Sequence, residues 1–269
     1  MGAPVINASE FVAFLLVLIR LSTFVAVAPI LGSPNVLTEA KAALALTLTV
    51  VLVPVVPYRA EDLPLNLWAM ISLGVGEMVI GLILATMVRL VLETANLAGE
   101  YLSFQMSMTM VNLMDPQSGT QVPIVSRLVY IIFVLIFLIV NGHYLALKAI
   151  ADSFKVAPVG YLVLDRPIMF TEIMQATGRM YILAIKIAAP VVGLLFCVKV
   201  SFGVVAKAVP QMQVLFVGMP LFILAGLAVT GFTMSFWPRL IAQGLYEAQE
   251  AMARILEILA PARPLGVSP

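Results

Sequence analysis

Apolar residues run along this chain in six long stretches, roughly 11–31, 42–56, 67–92, 124–140, 180–205 and 214–237. A membrane-spanning helix needs about 20 apolar residues. The third, fifth and sixth stretches reach that length. The second is short and ends at Pro54 and Pro57, which suits a re-entrant segment or one packed inside protein. The fourth is marginal. Turn-forming residues separate the runs. Gly32-Ser33-Pro34-Asn35 precedes a helix that starts near Thr38. Residues 57–64 form a loop with Glu61 and Asp62. Pro167 suits a first helical turn, where its missing N–H leaves nothing unpaired. The pattern predicts an all-α, multi-helix membrane protein. One helical domain is expected over 1–260, with a flexible tail at 261–269 that carries Pro261, Pro264 and Pro269.

The last helical segment differs from the others. Ile241, Leu245, Ala248, Met252, Ile255 and Leu259 follow helical spacing on one face. Arg239, Gln243, Glu247, Glu250, Arg254 and Glu257 line the other. Such an amphipathic helix lies on a membrane or against a partner and does not span. Its polar face carries more acids than bases, which favours protein contact over anionic lipid.

One polar, turn-forming insert interrupts the apolar runs. Residues 106–119 read MSMTMVNLMDPQSG. Irregular backbone at membrane depth is tolerated only where protein covers it or water reaches it. Met106, Met108 and Met110 alternate as on a strand, while Met106, Met110 and Met114 also share a helix face, and both conformations stay open. Asp115-Pro116-Gln117-Ser118-Gly119 is a turn, because the residue before proline resists helix and glycine allows positive φ. Methionine is unbranched and polarizable and adapts to changing surfaces. The insert therefore suits a gate or plug.

Two charges fall where lipid forbids them. Arg20 lies near the middle of the first run and Glu77 near the middle of the third. Each costs about 3 kcal/mol at the bilayer centre. Three arrangements relieve that cost: a direct Arg20–Glu77 pair, a shared water-filled or protein-lined interior, or placement of both runs outside the bilayer. Lys186 and Lys199 are spaced to snorkel toward opposite surfaces. Pro190 and Pro220 sit inside apolar runs, where each removes one backbone donor and favours a kink, although membrane helices tolerate proline more than soluble ones do. Gly74, Gly76, Gly81, Gly226 and Gly231 permit close helix approach without a strict GxxxG spacing.

Composition narrows the function classes. The chain has 269 residues, 62% of them hydrophobic and 11% charged, against about 25% charged in a soluble domain. Lipid or partner protein must cover so much apolar surface. A net charge of +1 without a basic stripe argues against nucleic acid. One cysteine excludes an internal disulfide, and one histidine, His143, excludes a His-rich metal site. No HExxH, CxxC, GxSxG or phosphate-binding glycine loop occurs. No catalytic, cofactor-binding or metal site is expected, and the chain is not expected to be an enzyme. Ala26-Val27-Ala28 mimics a cleavage site, but no Lys or Arg precedes Arg20, so the first run is expected to stay as a helix. Basic residues are scattered over most connections, which suggests that some runs do not cross.

Several blocks resemble the FliR family of flagellar biosynthetic proteins, related to the T-type export-gate component of virulence type III secretion. They are RLSTFVAVAPILG (20–32), GEYLSFQ (99–105), MDPQSG (114–119), NGHY (141–144) and AVPQMQVLFVGMPL (208–221). The last is the most specific, and it places Pro210, Gln211, Gly218 and Pro220 at helix-kink and packing positions. Lys207 stands where the family usually has arginine, and Lys199 where many members have a neutral polar residue. The resemblance implies a bacterial inner-membrane export gate of the flagellar basal body. A single copy of this chain would join several copies of the P and Q components in a cone of kinked helical hairpins, partly raised to the periplasmic side. A B component would also make contact. Exported unfolded polypeptides would pass through the pore. The loop matching Gln105 to Gly119 would plug it. Two rivals remain at this stage. One is a stand-alone secondary transporter or channel for small solutes with Arg20 and Glu77 in its pathway, and the other is a purely structural scaffold.

Overall fold

The computed structural model describes residues 8–57, 66–108, 124–160, 167–208 and 214–259. Among them every regular element is helical: α1 (Ala8–Val27), α2 (Thr38–Leu52), α3 (Leu67–Gln105), α4 (Ile124–Ile139), α5 (Gly142–Val156), α6 (Pro167–Ala208), α7 (Val214–Thr233), a 3₁₀ turn (Met234–Phe236) and α8 (Trp237–Leu259). The protein is all-α. Four segments are long and apolar enough to cross a membrane, Ser9–Val27, Leu67–Gln105, Phe170–Ala208 and Val217–Ile258, and the broken pair α4–α5 makes a fifth if counted as one span.

α2 begins at Thr38 and α6 at Pro167, where the local residue types place them. α3 runs well past the apolar stretch that ends near residue 92. Glu93, Asn96 and Glu100 interrupt the hydropathy there, but Ala95, Ala98 and Leu102 continue a buried stripe at helical spacing. α5 is an element that overall hydropathy hides. Ala146, Ile150 and Phe154 are buried four residues apart, while Lys148 and Lys155 face outward. α6 and α7 stay helical through Pro190 and Pro220, although each proline forfeits a backbone hydrogen bond. α3 has 39 residues and α6 has 42, so each is about 60 Å long, roughly twice the ~30 Å hydrocarbon core.

The chain divides into two compact units, Met1–Arg89 with His143–Ala176 and Glu247–Pro269, and Leu90–Gly142 with Thr177–Tyr246. In the first, α1 buries one stripe made of Ala13, Leu16, Val17, Leu21 and Phe24, and Arg20 falls on that same stripe. α2 packs on α1. The second unit centres on Leu102, Val129, Phe133, Ala184, Leu195 and Trp237, and the Phe133 and Trp237 rings lie 5.6 Å apart. α8 buries Ile241, Leu245, Met252 and Ile255 and leaves Arg239, Gln243 and Glu257 exposed, as its amphipathic pattern requires.

Candidate functional site

Two places in the fold hold polar groups that apolar surroundings make costly. The first lies in the Met1–Arg89 unit. The buried stripe of α1 forces Arg20 inward, and its side chain is 0% exposed. Arg20 Nε donates to Glu77 Oε2 of α3, whose side chain is 1% exposed. The other guanidinium nitrogens donate to Ser153 Oγ at 3.1 Å and to the Ala157 carbonyl at 3.0 Å. Phe154 lies under the guanidinium, 4.3 Å from ring centroid to Cζ. Glu77 Oε1 accepts the backbone N–H of Gly160 at 3.2 Å, and Gly160 adopts φ 89°.

The structure thus brings Arg20 and Glu77 together, and both oxygens of the acid and all three nitrogens of the base have partners. Arg20 also caps the C-terminal end of α5, where unpaired carbonyls concentrate partial negative charge. A guanidinium fork can do this while pairing a carboxylate, and an ammonium cannot. Gly81 makes the approach possible. A Cβ there would come within 2.5 Å of the Arg20 carbonyl oxygen. Ser153, Phe154, Ala157 and Gly160 carry no motif. Only the four-residue spacing of α5, with Ser153 beside its buried stripe, hints that they face the ion pair.

The second place is the base of the polar insert, in the Leu90–Gly142 unit. α3 ends at Gln105 in a Schellman motif. Ser107 N–H donates to the Phe104 carbonyl at 3.0 Å, and Met108 N–H to the Ser103 carbonyl at 3.1 Å. Ser107 takes φ 60°, the left-handed region that glycine usually fills at this point. α3 therefore ends just before Met106. Met106 is fully buried and lies across Gly226 of α7, where an added Cβ would meet its side chain at 2.6 Å. No such contact occurs at Gly231. Gln105 accepts a hydrogen bond from Lys199 of α6 at 2.9 Å, so Lys199 does not snorkel away from the protein. Met108 is half-buried.

Met110, Met114, Asp115, Pro116, Gly119, Pro210 and Gln211 lie outside the described residues. Gly218 of α7 lies beside the Phe222 ring. A left-handed non-glycine residue costs about 1–2 kcal/mol. Ser107→Gly is therefore expected to raise stability by about 1 kcal/mol, read as a higher unfolding midpoint, while Ser107→Val should lower it.

Other blocks noted in the sequence also sit at backbone crowding points. Gly99 faces Ser126 of α4, whose Cα would lie 2.6 Å from an added Cβ. Asn141 closes α4 with φ 58°, and Gly142 lies against the Phe137 ring. Gly32 packs on the Ala26 and Ala28 carbonyls.

The family model for bacterial export proteins, family 1, matches residues 11–248. The flagellar biosynthetic protein FliR of Bacillus subtilis (strain 168) is 34% identical over 218 residues, covering 78% of this chain and 82% of that protein. The chain belongs to the FliR family of bacterial export proteins. FliR of Escherichia coli (strain K12) is 26% identical over 212 residues, covering 79% of this chain and 80% of its own. FliR of Pectobacterium carotovorum subsp. carotovorum is 24% identical over 241 residues, with 88% and 90% covered. The matched residues include Arg20, Glu77, Gln105 and Met106 alike.

Proposed function

We propose that this chain is a subunit of the flagellar type III protein-export gate in the bacterial inner membrane, and that residues 106–119 stop its pore at rest. Family membership over residues 11–248 carries the assignment. The role is structural and mechanical, and no bond is made or broken. Partners of P, Q and B type would complete the gate around one copy of this chain, and unfolded polypeptides would cross it. Large apolar side chains stand open on several helices, among them Trp68 at 78%, Phe104 at 69% and Phe232 at 77% exposure. Such surface needs lipid or sister subunits. α3 and α6 are too long to lie wholly within one bilayer thickness, which fits a protein raised partly out of the membrane, on the periplasmic side under this reading.

The loop's base supports the plug reading. A capped helix end, a buried Met106 and a bonded Gln105 give the proposed plug a fixed mount at its first residues. The ion pair argues against a small-solute transporter, since a pathway charge needs solvent access and Arg20 and Glu77 have almost none. Deleting residues 106–119 is expected to make the assembled complex leak ions in liposomes while its subunit composition is retained. A conductance equal to that of the intact complex would reject the plug.

A further inference from the structure

One line of side chains along α3 changes character part-way up the helix. At about 100° per residue, Trp68, Ile71, Val75, Met78 and Leu82 fall on one face, and each is exposed. The same line continues through Thr86, Arg89, Glu93, Asn96 and Glu100, which are exposed or half-buried. It is apolar before Thr86 and polar from there on. Phe104 alone returns it to apolar, beside the base of the loop. Trp68 and Arg89 stand about 31 Å apart along the axis, close to the ~30 Å of a hydrocarbon core. An aromatic ring at one boundary and a long cation at the other are residue types that membrane interfaces hold.

Every polar side chain between those boundaries is accounted for. Glu77, near the midpoint, turns inward to Arg20 and is 1% exposed. Ser72 Oγ donates to the Ala69 carbonyl at 2.8 Å, and Thr86 Oγ1 to the Leu82 carbonyl at 2.7 Å, so both hydroxyls are satisfied within the helix. Hydrocarbon requires this, because it offers no acceptor. Small residues mark helix–helix contacts in membranes. Here they point the other way: Gly74 faces Ile19, and Gly81 faces the Arg20 carbonyl. The open face presents bulky apolar side chains, which suit acyl chains better than a closely packed sister helix.

We infer that the face of α3 from Trp68 to Leu82 is seated in bilayer lipid: acyl chains cover it, the Arg89 cation meets the lipid phosphates, and the helix enters water by Glu93. This seating presupposes the inner-membrane location proposed above, and it adds where the bilayer ends on the chain. Gln105, the last residue of α3, then stands about 24 Å beyond Arg89, so the base of the loop lies outside the hydrocarbon.

The test uses the assembled complex in liposomes, with cysteine-free partner subunits. Val75→Cys, Met78→Cys, Glu93→Cys and Glu100→Cys, each in a Cys197→Ala background because Cys197 is exposed, carry a bimane label. Flotation with the liposomes reads insertion. A phospholipid with a nitroxide near the end of its acyl chain is expected to quench the labels at 75 and 78 at least about threefold more than those at 93 and 100. Aqueous iodide should give the reverse order.

Labels at 75 and 78 that neither quencher reaches in floating complexes mean that a sister subunit covers the face; the lipid contact is then wrong while the inner-membrane reading stands. Iodide quenching at 75 and 78 puts the face in water and overturns it as well. Equal nitroxide quenching at all four positions removes the boundary at Arg89. Complexes that do not float remove the inner-membrane reading, and the lipid contact falls with it.

Discussion

Reversing the buried pair, Arg20→Glu together with Glu77→Arg, is expected to leave the complex about as impaired as either single variant. Breaking a buried ion pair by removing one partner costs about 3–5 kcal/mol, because the other charge stays in the interior uncompensated. A pair that interacted only with itself would be restored by the swap. This pair does not stand alone. Arg20 also serves Ser153 Oγ and the Ala157 carbonyl, and both of these accept its protons. A carboxylate in that place would face the carbonyl lone pairs. Glu77 in turn accepts the Gly160 N–H, which an arginine at 77 would oppose with another donor. Arg20→Lys should fall between parent and Arg20→Ala, since it keeps the charge and loses the fork. The unfolding midpoint and yield of the detergent-extracted complex read all five variants. Recovery of the swapped variant to near-parental stability would mean that the contacts to α5 and to Gly160 contribute little.

The helices were readable because the chain alternates long apolar runs with firm turn residues. Thr38 and Pro167 mark starts that the fold uses. The same hydropathy misled at the end of α3, where Glu93 and Glu100 lower the average while Ala95, Ala98 and Leu102 keep the buried stripe. It hid α5 altogether, because Lys148, Asp152 and Lys155 mask a four-residue apolar spacing. Arg20 and Glu77 were visible as charges needing relief, and the structure pairs them. Their partners in and after α5 were not, since a serine, a backbone carbonyl and a backbone N–H have no signature distant in sequence. Lys199 illustrates the same limit. Its spacing from Lys186 fits snorkelling, and only tertiary packing brings Gln105, 94 residues away, within reach. The composition of the insert did not show where α3 ends, because the cap that closes it rests on Ser107, whose left-handed backbone no composition rule selects.

Close helix approach yields the other large expected effect. Gly81 and Gly99 lie on α3 where an added Cβ would meet backbone: the Arg20 carbonyl oxygen at 2.5 Å and Ser126 Cα at 2.6 Å. Backbone cannot rotate away as a side-chain tip can, so the helices must separate. Gly81→Ala and Gly99→Ala are each expected to lose about 1–3 kcal/mol, and the valine variants more. Separation at Gly81 also stretches the Arg20–Glu77 contact one layer away, so its loss should exceed that at Gly99. At Gly99 the neighbouring polar contact is the neutral Ser103–Ser126 pair at 3.3 Å. Gly178 and Gly193 provide the contrast, because an added Cβ at either meets nothing within 4 Å. Alanine there should be neutral or stabilising by up to about 1 kcal/mol, since glycine is the poorer helix former. Unfolding midpoints of the four alanine variants check the ordering. Should Gly81→Ala melt together with Gly193→Ala, α1 and α3 are not in close contact at Arg20, and the ion pair would have to be held by its α5 contacts alone.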